Sequence, residues 1–305
     1  FGWRGFGWRG PRRPLTLRFV TTRDGYAGRC VPRDAVASVI EATVAKASGL
    51  GMFFDFDGTL APIQDDPETV QLAPRVLGLL DSLSRVVDIV AVVSARNAAF
   101  LKRHFEEAGQ VRIFGLYGLE QLGPSGEIEV LPDAEPWLPV ISQLVERARR
   151  DLPSEVYVED KMLSLVLHYR RAPHTRQAIE SWSTHVAAGT GAKIQPGRMA
   201  IEIGPPLDRN KRTIIDSYLP QLESAWYFGD DVGDLPAFEA LTDRVRRDPS
   251  FLAVKIAVAN DDPVADLVDT ADLVVGSPGE LAELLENLLA GLSHGGGSIR
   301  PTGCP

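Results

Sequence analysis

Cysteine is nearly absent from this chain. Its two cysteines in 305 residues, Cys30 and Cys304, lie in the least domain-like stretches, which excludes a disulfide framework. A long apolar run is missing as well: Val86 to Val93 is the longest, and it is broken by Asp88 and far too short to span a bilayer. Positive charge is in deficit. A formal charge of -9 argues against nucleic acid or an anionic membrane as a partner, while leaving local patches open. The start of the chain has no apolar core of a signal peptide. With 44% hydrophobic and 24% charged residues, the expectation is a soluble, cytoplasmic globular protein of one large domain or two modest ones.

What is present is organised around Phe53-Phe54-Asp55-Phe56-Asp57-Gly58-Thr59-Leu60. Residues i and i+2 of a strand point to the same side, so Asp55 and Asp57 leave the strand end together while Phe56 points into the core. Two like charges so close repel unless a cation or a shared proton relieves them. At the carboxyl end of a parallel strand, where open α/β sheets bind ligands, they suggest a metal-dependent site. An ordinary Asp-Gly turn is the alternative.

Residues 1–10 repeat Phe-Gly-Trp-Arg-Gly twice, and 11–35 are rich in Arg, Pro and Thr. Residues 1–45 therefore read as an N-terminal extension, flexible at its start, with a helical pattern from Pro32 to Ser48. Helix spacing to Leu83, a β-branched strand Val86–Val93, a helix to about 108 and a strand Val111–Phe114 follow. This alternation predicts a doubly wound, Rossmann-like parallel α/β sheet. After Gly118 the rhythm changes. A hairpin signal at Gly123-Pro124-Ser125-Gly126, a helix near 136–152, strands at 156–160 and 164–170, a helix near 174–188 and strands at 192–195 and 199–203 predict an inserted α+β unit over 119–204. Core segments would be 46–118 and 205–292. The second carries a helix with Lys211, strand Ala225–Gly229, a helix near 234–241, strands Val254–Val258 and Leu273–Val275, and a last helix Pro278–Leu289. Residues 293–305 read as a flexible tail.

Four elements then end at strand termini of one inferred sheet: Asp55/Asp57, Ser94 with Arg96, Lys211, and Asp230/Asp231 with Asp234. A carboxylate can attack phosphorus, and a second can protonate the leaving oxygen and later deprotonate water. Phosphoryl transfer spreads charge over three oxygens, which calls for a divalent metal, a lysine and hydroxyl or backbone donors. Mg²⁺ takes oxygen ligands and few protein carboxylates, matching Asp55, Asp230 and a main-chain carbonyl. Taken singly, Ser94 could be a helix cap, Lys211 a solvated helix position and Gly229-Asp230-Asp231 a plain turn.

Asp55-Phe56-Asp57-Gly58-Thr59, Ser94, Lys211 and Gly229-Asp230-Asp231 resemble the four motifs of the haloacid dehalogenase superfamily. Within it the chain is similar to the trehalose-6-phosphate phosphatases over about 50–290. That narrower likeness rests on Gly115-Leu116-Tyr117-Gly118-Leu119-Glu120, Val158-Glu159-Asp160-Lys161, His168-Tyr169-Arg170, Ala200-Ile201-Glu202-Ile203, Asn210-Lys211 and the fourth motif extended to Phe238.

The resemblance implies Asp55 as nucleophile, Asp57 as general acid and base, and Ser94 and Lys211 as holders of the phosphoryl oxygens. Mg²⁺ would be bound by Asp55, Asp57 through its carbonyl, and Asp230, with Asp231 and Asp234 in support. Gly58, Thr59, Arg96, Glu159, Lys161 and Glu202 would meet the substrate, a small sugar phosphate, under the insert acting as a cap. A trehalose-6-phosphate synthase is the implied functional partner. By strand alternation Glu159, Lys161 and Glu202 share one polar face of the insert's sheet, which could equally be a solvated face with one cross-strand ion pair. Gly233 and Leu235 stand where the family usually has Thr and Glu, Arg212 where it has Gly, and Ala95 where it has Gly. Phosphatases for other glycosyl phosphates, of the glucosyl- or mannosyl-glycerate type, and a non-catalytic sugar-phosphate-binding regulatory module are the rival readings.

Overall fold

A computed structural model describes residues 33–64, 67–197 and 199–294. The expected flexible start at 1–32 and the tail beyond 294 lie outside the described residues. In chain order the elements are α1 (Arg33–Val44), β1 (Leu50–Phe54), α2 (Pro74–Ser84), β2 (Ile89–Val93), α3 (Ala98–Phe105), β3 (Arg112–Gly115), β4 (Glu120–Leu122) and β5 (Ile128–Val130). Then follow α4 (Trp137–Asp151), β6 (Tyr157–Asp160), β7 (Leu165–His168), α5 (Arg176–Thr190), β8 (Lys193–Gly197) and β9 (Ala200–Gly204). The chain closes with α6 (Lys211–Tyr218), β10 (Ser224–Gly229), α7 (Leu235–Arg247), β11 (Leu252–Val258), α8 (Ala265–Thr270), β12 (Leu273–Val275) and α9 (Pro278–His294).

One sheet has eight strands in the order β12-β11-β10-β1-β2-β3-β4-β5. From β12 to β3 all pairings are parallel; β3–β4 and β4–β5 are antiparallel. The central strands are buried throughout, Leu-Gly-Met-Phe-Phe in β1 and Ile-Val-Ala-Val-Val in β2. Both faces are covered, so both must be apolar. Met52, Phe54, Val90, Val92, Trp226 and Phe228 pack in one layer with residues of α1, α2, α3 and α9, whereas Phe53, Ala91, Val93, Ala225 and Tyr227 pack in the other with residues of α6, α7 and α8. The expected doubly wound core is what forms.

Four differences from expectation have local causes. The hairpin β4–β5, expected within the insert, extends the edge of the large sheet through β3. Val86 is exposed and closes α2 by donating its amide to Leu83, so β2 begins only at Ile89. Helix α1, assigned to the extension, is packed: Val39 and Ile40 are buried, and the Trp226 indole donates to Thr43 Oγ1 at 3.1 Å. Helix α7 runs on to Arg247, where Arg244 and Arg246 pair with Asp248 and Asp243.

The second sheet, β6-β7-β9-β8, is antiparallel and has α4 and α5 on one side. Its apolar face (Leu165, Leu167, Ile201, Ile203) packs on Ile141, Leu144, Val145 and Ile179. The register aligns Glu159 with Val166, Val166 with Glu202 and Glu202 with Gln195, so these side chains form one row on the other face.

Candidate active site

Strands β1, β2 and β10 are adjacent and in register, with Phe54 opposite both Val92 and Phe228. The residues that follow them, Asp55, Ser94 and Asp230, therefore emerge side by side at one sheet edge. The turn after β1 is held by Asp55 N–H to Phe228 O at 2.9 Å and by Gly58 N–H to Ala61 O at 2.8 Å. Gly58 has φ +75°, and a Cβ there would sit 2.0 Å from Asp230 Oδ2. No other residue lets the two loops approach this closely.

Asp234 is the hub. Its Oδ1 accepts from Lys211 Nζ and from the Tyr227 hydroxyl, each at 2.6 Å, and its Oδ2 accepts from the amides of Asp230 at 2.9 Å and Asp231 at 3.0 Å. Lys211, the first residue of α6, also reaches Asp55 Oδ1 at 2.8 Å and is as buried as its partners. Burial works to lower the Lys211 pKa, but Asp234 and Asp55 outweigh it and the net shift is well upward, so the ammonium is permanent. Burial raises Asp55 well above the usual carboxylate range, with Lys211 opposing and Asp234 and Asp230 adding to the rise. Burial, then the charge of Asp234, pushes Asp230 up to about 7, and burial raises Asp231 as well.

Asp55, Asp230 and Asp234 each offer a carboxylate oxygen within 4.8 Å of the others. Both oxygens of Asp234 already accept two protein donors, so Asp55 and Asp230 are the groups left for a cation. Buried carboxylates outnumber the one ammonium among them, and burial first, then the charge of Asp234, raises the affinity of Asp55, Asp230 and Asp231 for protons. A hard divalent cation fits this oxygen set. Thr59, expected to touch substrate, turns inward instead: it is fully buried and donates to Asp230 Oδ1 at 3.2 Å.

Asp57 has a different partner. Arg96 donates to it twice, Nε to Oδ2 and Nη2 to Oδ1, both at 2.7 Å. Both side-chain oxygens of Asp57 are thus engaged by Arg96. Ser94 is buried and does not cap α3. Asn97 does, accepting from Phe100 N–H at 2.7 Å, while Ser94 Oγ accepts from the Arg96 amide at 3.1 Å and keeps its own proton to donate.

Opposite this edge lies the polar face of the four-stranded sheet. Glu159 and Lys161 join Arg96, Phe100 and Arg103 around a cavity of about 310 Å³. Lys161 Nζ is 3.8 Å from Glu202 Oε1, which also accepts from Ser164 Oγ at 2.6 Å. His168 Nε2 lies 2.7 Å from Glu159 Oε2. Burial would raise the Glu159 pKa, but His168 and Lys161 outweigh it and the net direction is down. Glu159, Lys161 and Glu202 thus come together on one face, and Arg96 of the core meets the first two across the cavity.

Several residues of this region have no role in the sequence reading. Tyr227 reads as core between Trp226 and Phe228. Asn260 donates to Gly58 O at 2.9 Å and lies 3.5 Å from Asp230 Oδ2; a polar residue just past the end of β11 was the available signal. The departures from the family pattern lie outside the carboxylate cluster. Arg212 pairs with Asp216 within α6 and braces α6 to α7 through Asp243, and the Gly233 amide donates to Asp231 Oδ1 at 2.8 Å.

The parallel sheet with its strand-end carboxylates and the inserted second sheet define a hydrolase fold of the haloacid dehalogenase type. A haloacid dehalogenase-like hydrolase from Bacteroides thetaiotaomicron superposes with a TM-score of 0.53 at 14% identity, covering 78% of this chain and 98% of that one. Residues 53–266 match the trehalose-phosphatase family, and the chain belongs to it. It is 32% identical over 274 residues to a trehalose-phosphate phosphatase of Mycolicibacterium paratuberculosis, covering 84% of this chain and 68% of the relative. The crystal structure of a trehalose-6-phosphate phosphatase related protein superposes with a TM-score of 0.63 at 25% identity, covering 79% of this chain and 97% of the other.

Proposed function

We propose that this protein is a Mg²⁺-dependent phosphatase that hydrolyses trehalose 6-phosphate to trehalose and phosphate. The observation that carries the reading is the chain Asp55–Lys211–Asp234 at the sheet edge, facing the charged row of the cap sheet. Family membership supplies the substrate class.

Asp55 attacks phosphorus with a carboxylate oxygen, forming an aspartyl-phosphate as the bond from phosphorus to the sugar oxygen breaks. Asp57 gives a proton to that leaving oxygen. Water then attacks phosphorus, its proton passes to Asp57, and Asp55 is released with inorganic phosphate. Lys211 and the Ser94 hydroxyl meet the non-bridging oxygens, where charge develops. Mg²⁺, held by Asp55, Asp230 and the main chain at Asp57, would neutralise phosphoryl charge. Asp234 and Asp231 orient Lys211 and the loop that carries Asp230. To deliver a proton Asp57 must leave Arg96, and a phosphate dianion offers that guanidinium an equally good two-point partner.

Glu159, Lys161 and Glu202 would hold the sugar hydroxyls, placing the whole substrate between core and cap. A trehalose-6-phosphate synthase would supply it, in the cytoplasm. Among the described residues no helix is long and apolar enough to cross a membrane. The test is phosphate release with Mg²⁺ from trehalose 6-phosphate, glucose 6-phosphate, and glucosyl- and mannosyl-glycerate phosphates. Preference for trehalose 6-phosphate is expected; preference for a glycerate ester would replace the substrate assignment.

A further inference from the structure

The turn after β3 is the most strained stretch of described backbone. Leu116, Tyr117 and Gly118 all have positive φ, at 48°, 56° and 85°. Leucine and tyrosine rarely adopt this left-handed region, and consecutive residues there persist only where the surroundings force them. Here they do. Leu116 N–H donates to Arg96 O at 2.8 Å and Tyr117 N–H to Ser94 O at 3.0 Å. A Cβ on Gly118 would lie 2.2 Å from Ile214 Cδ1 of α6, and one on Gly115 would lie 2.5 Å from the Ala98 amide. The turn is clamped between the Ser94–Arg96 loop, the start of α3 and the helix that begins at Lys211. Leu116 anchors it, buried with Leu119, Ala134 and Leu163.

This strain delivers the Tyr117 ring into the space between core and cap. Tyr117 lines a recess of about 50 Å³ with Ser164, Gln195, Glu202 and Arg209. Tyr117 is half-buried, and its hydroxyl makes no hydrogen bond to any described residue and is not sealed off from the recess, unlike that of the fully buried Tyr227, which donates to Asp234. A tyrosine whose ring packs against protein while its hydroxyl opens onto a recess can offer that hydroxyl to a molecule that enters it. Burial raises the phenol's pKa, Glu202, Asp231 and Asp55 adding to the rise and Lys211 opposing it, so the group stays a neutral donor. Glu202 of the insert and Asp55, Asp231 and Lys211 of the core all act on it electrostatically, so it stands between the two sets of charged residues.

We propose that Tyr117 is a substrate-binding residue, its hydroxyl donating a hydrogen bond to a sugar oxygen of the ester held between Asp55 and Glu202. This rests on the reading of the site as a glycosyl-phosphate phosphatase and names a core residue, not a cap residue, as part of what recognises the sugar.

Tyr117→Phe removes one oxygen and keeps the ring that fills the turn. Its kcat/KM for trehalose 6-phosphate should fall about tenfold, with p-nitrophenyl phosphate unchanged within about twofold and the melting temperature unchanged. In the turnover-free Asp55→Asn background, adding Tyr117→Phe should weaken calorimetric binding of trehalose 6-phosphate and leave inorganic phosphate unaffected. Equal losses on both esters, weaker phosphate binding, or no loss at all would overturn the proposal. If wild-type protein prefers another glycosyl phosphate, the trehalose assignment falls, and the same pair of variants measured on that ester decides Tyr117. Wild-type protein that releases phosphate from the small ester alone would overturn both.

Discussion

Arg96 grips Asp57 at two points, 2.7 Å each, and at the same time lies 4.3 Å over the Phe100 ring. The guanidinium is therefore packed from one side and charge-paired from the other. Burial would lower its pKa, but Asp57 outweighs this and the net direction is up. Both Asp57 carboxyl oxygens are taken up by Arg96, so neither can face a leaving group while the pair lasts. Binding and proton transfer are thereby linked: the phosphate that draws Arg96 away frees Asp57.

Arg96→Ala removes that link for every phosphate ester. KM should rise on the order of tenfold to a hundredfold for trehalose 6-phosphate and p-nitrophenyl phosphate alike, the worth of a charge-assisted pair. A loss confined to trehalose 6-phosphate would place Arg96 with the sugar-binding residues instead.

Asp230 makes a prediction about pH and metal together. Its pKa is pushed up to about 7 in the folded protein by burial and then by Asp234. An aspartate in the unfolded chain has released its proton by about pH 4. Above that point the folded state binds more protons than the unfolded one, so stability from this group is lost as pH rises through about 7. In EDTA the melting temperature should therefore fall between about pH 5.5 and about pH 8, and Mg²⁺ should stabilise more at the upper end, where it no longer competes with a proton. A metal-induced shift equal at both pH values would count against Asp230 as a ligand.

Asp234→Ala tests structure more than chemistry. It would take one of two carboxylate partners from the buried Lys211 ammonium, which keeps Asp55, and leave the Tyr227 hydroxyl and two backbone amides without their acceptor. Breaking a buried pair in this way costs about 3–5 kcal/mol, or on the order of 10 °C in melting temperature for a protein of this size. A scan within about 2 °C of wild type would show that Asp234 is not the hub of this cluster.

Lys161→Ala and Glu202→Ala separate cap from core. Each should lower kcat/KM for trehalose 6-phosphate about tenfold or more and barely change the small ester, which never reaches the cap sheet. Equal effects on both esters would make them supports of the fold.

The core was readable because strands buried on both faces must be apolar, so Asp55, Ser94 and Asp230 stand out where the apolar runs stop. Strand alternation likewise placed Glu159 and Glu202 on one face. Pairings across distance were not readable: nothing local to Thr59 says that its hydroxyl serves Asp230, or local to Arg96 that it holds Asp57. The β4–β5 hairpin was visible as a hairpin, but its own residues do not say which sheet edge it will extend. Nor does Leu116-Tyr117-Gly118 announce three positive φ angles, since two of these residues are ordinarily excluded from that region.

The nucleophile is the claim on which the rest depends. Asp55→Asn replaces an anionic oxygen with an amide that can neither attack phosphorus nor hold Mg²⁺ as a charge, while filling the same volume. Phosphate release from trehalose 6-phosphate with saturating Mg²⁺ should fall by at least about a thousandfold, about 4 kcal/mol of barrier, with the protein still folded by melting. Activity retained within about tenfold, equivalent to about 1.4 kcal/mol, would contradict an aspartyl-phosphate at Asp55.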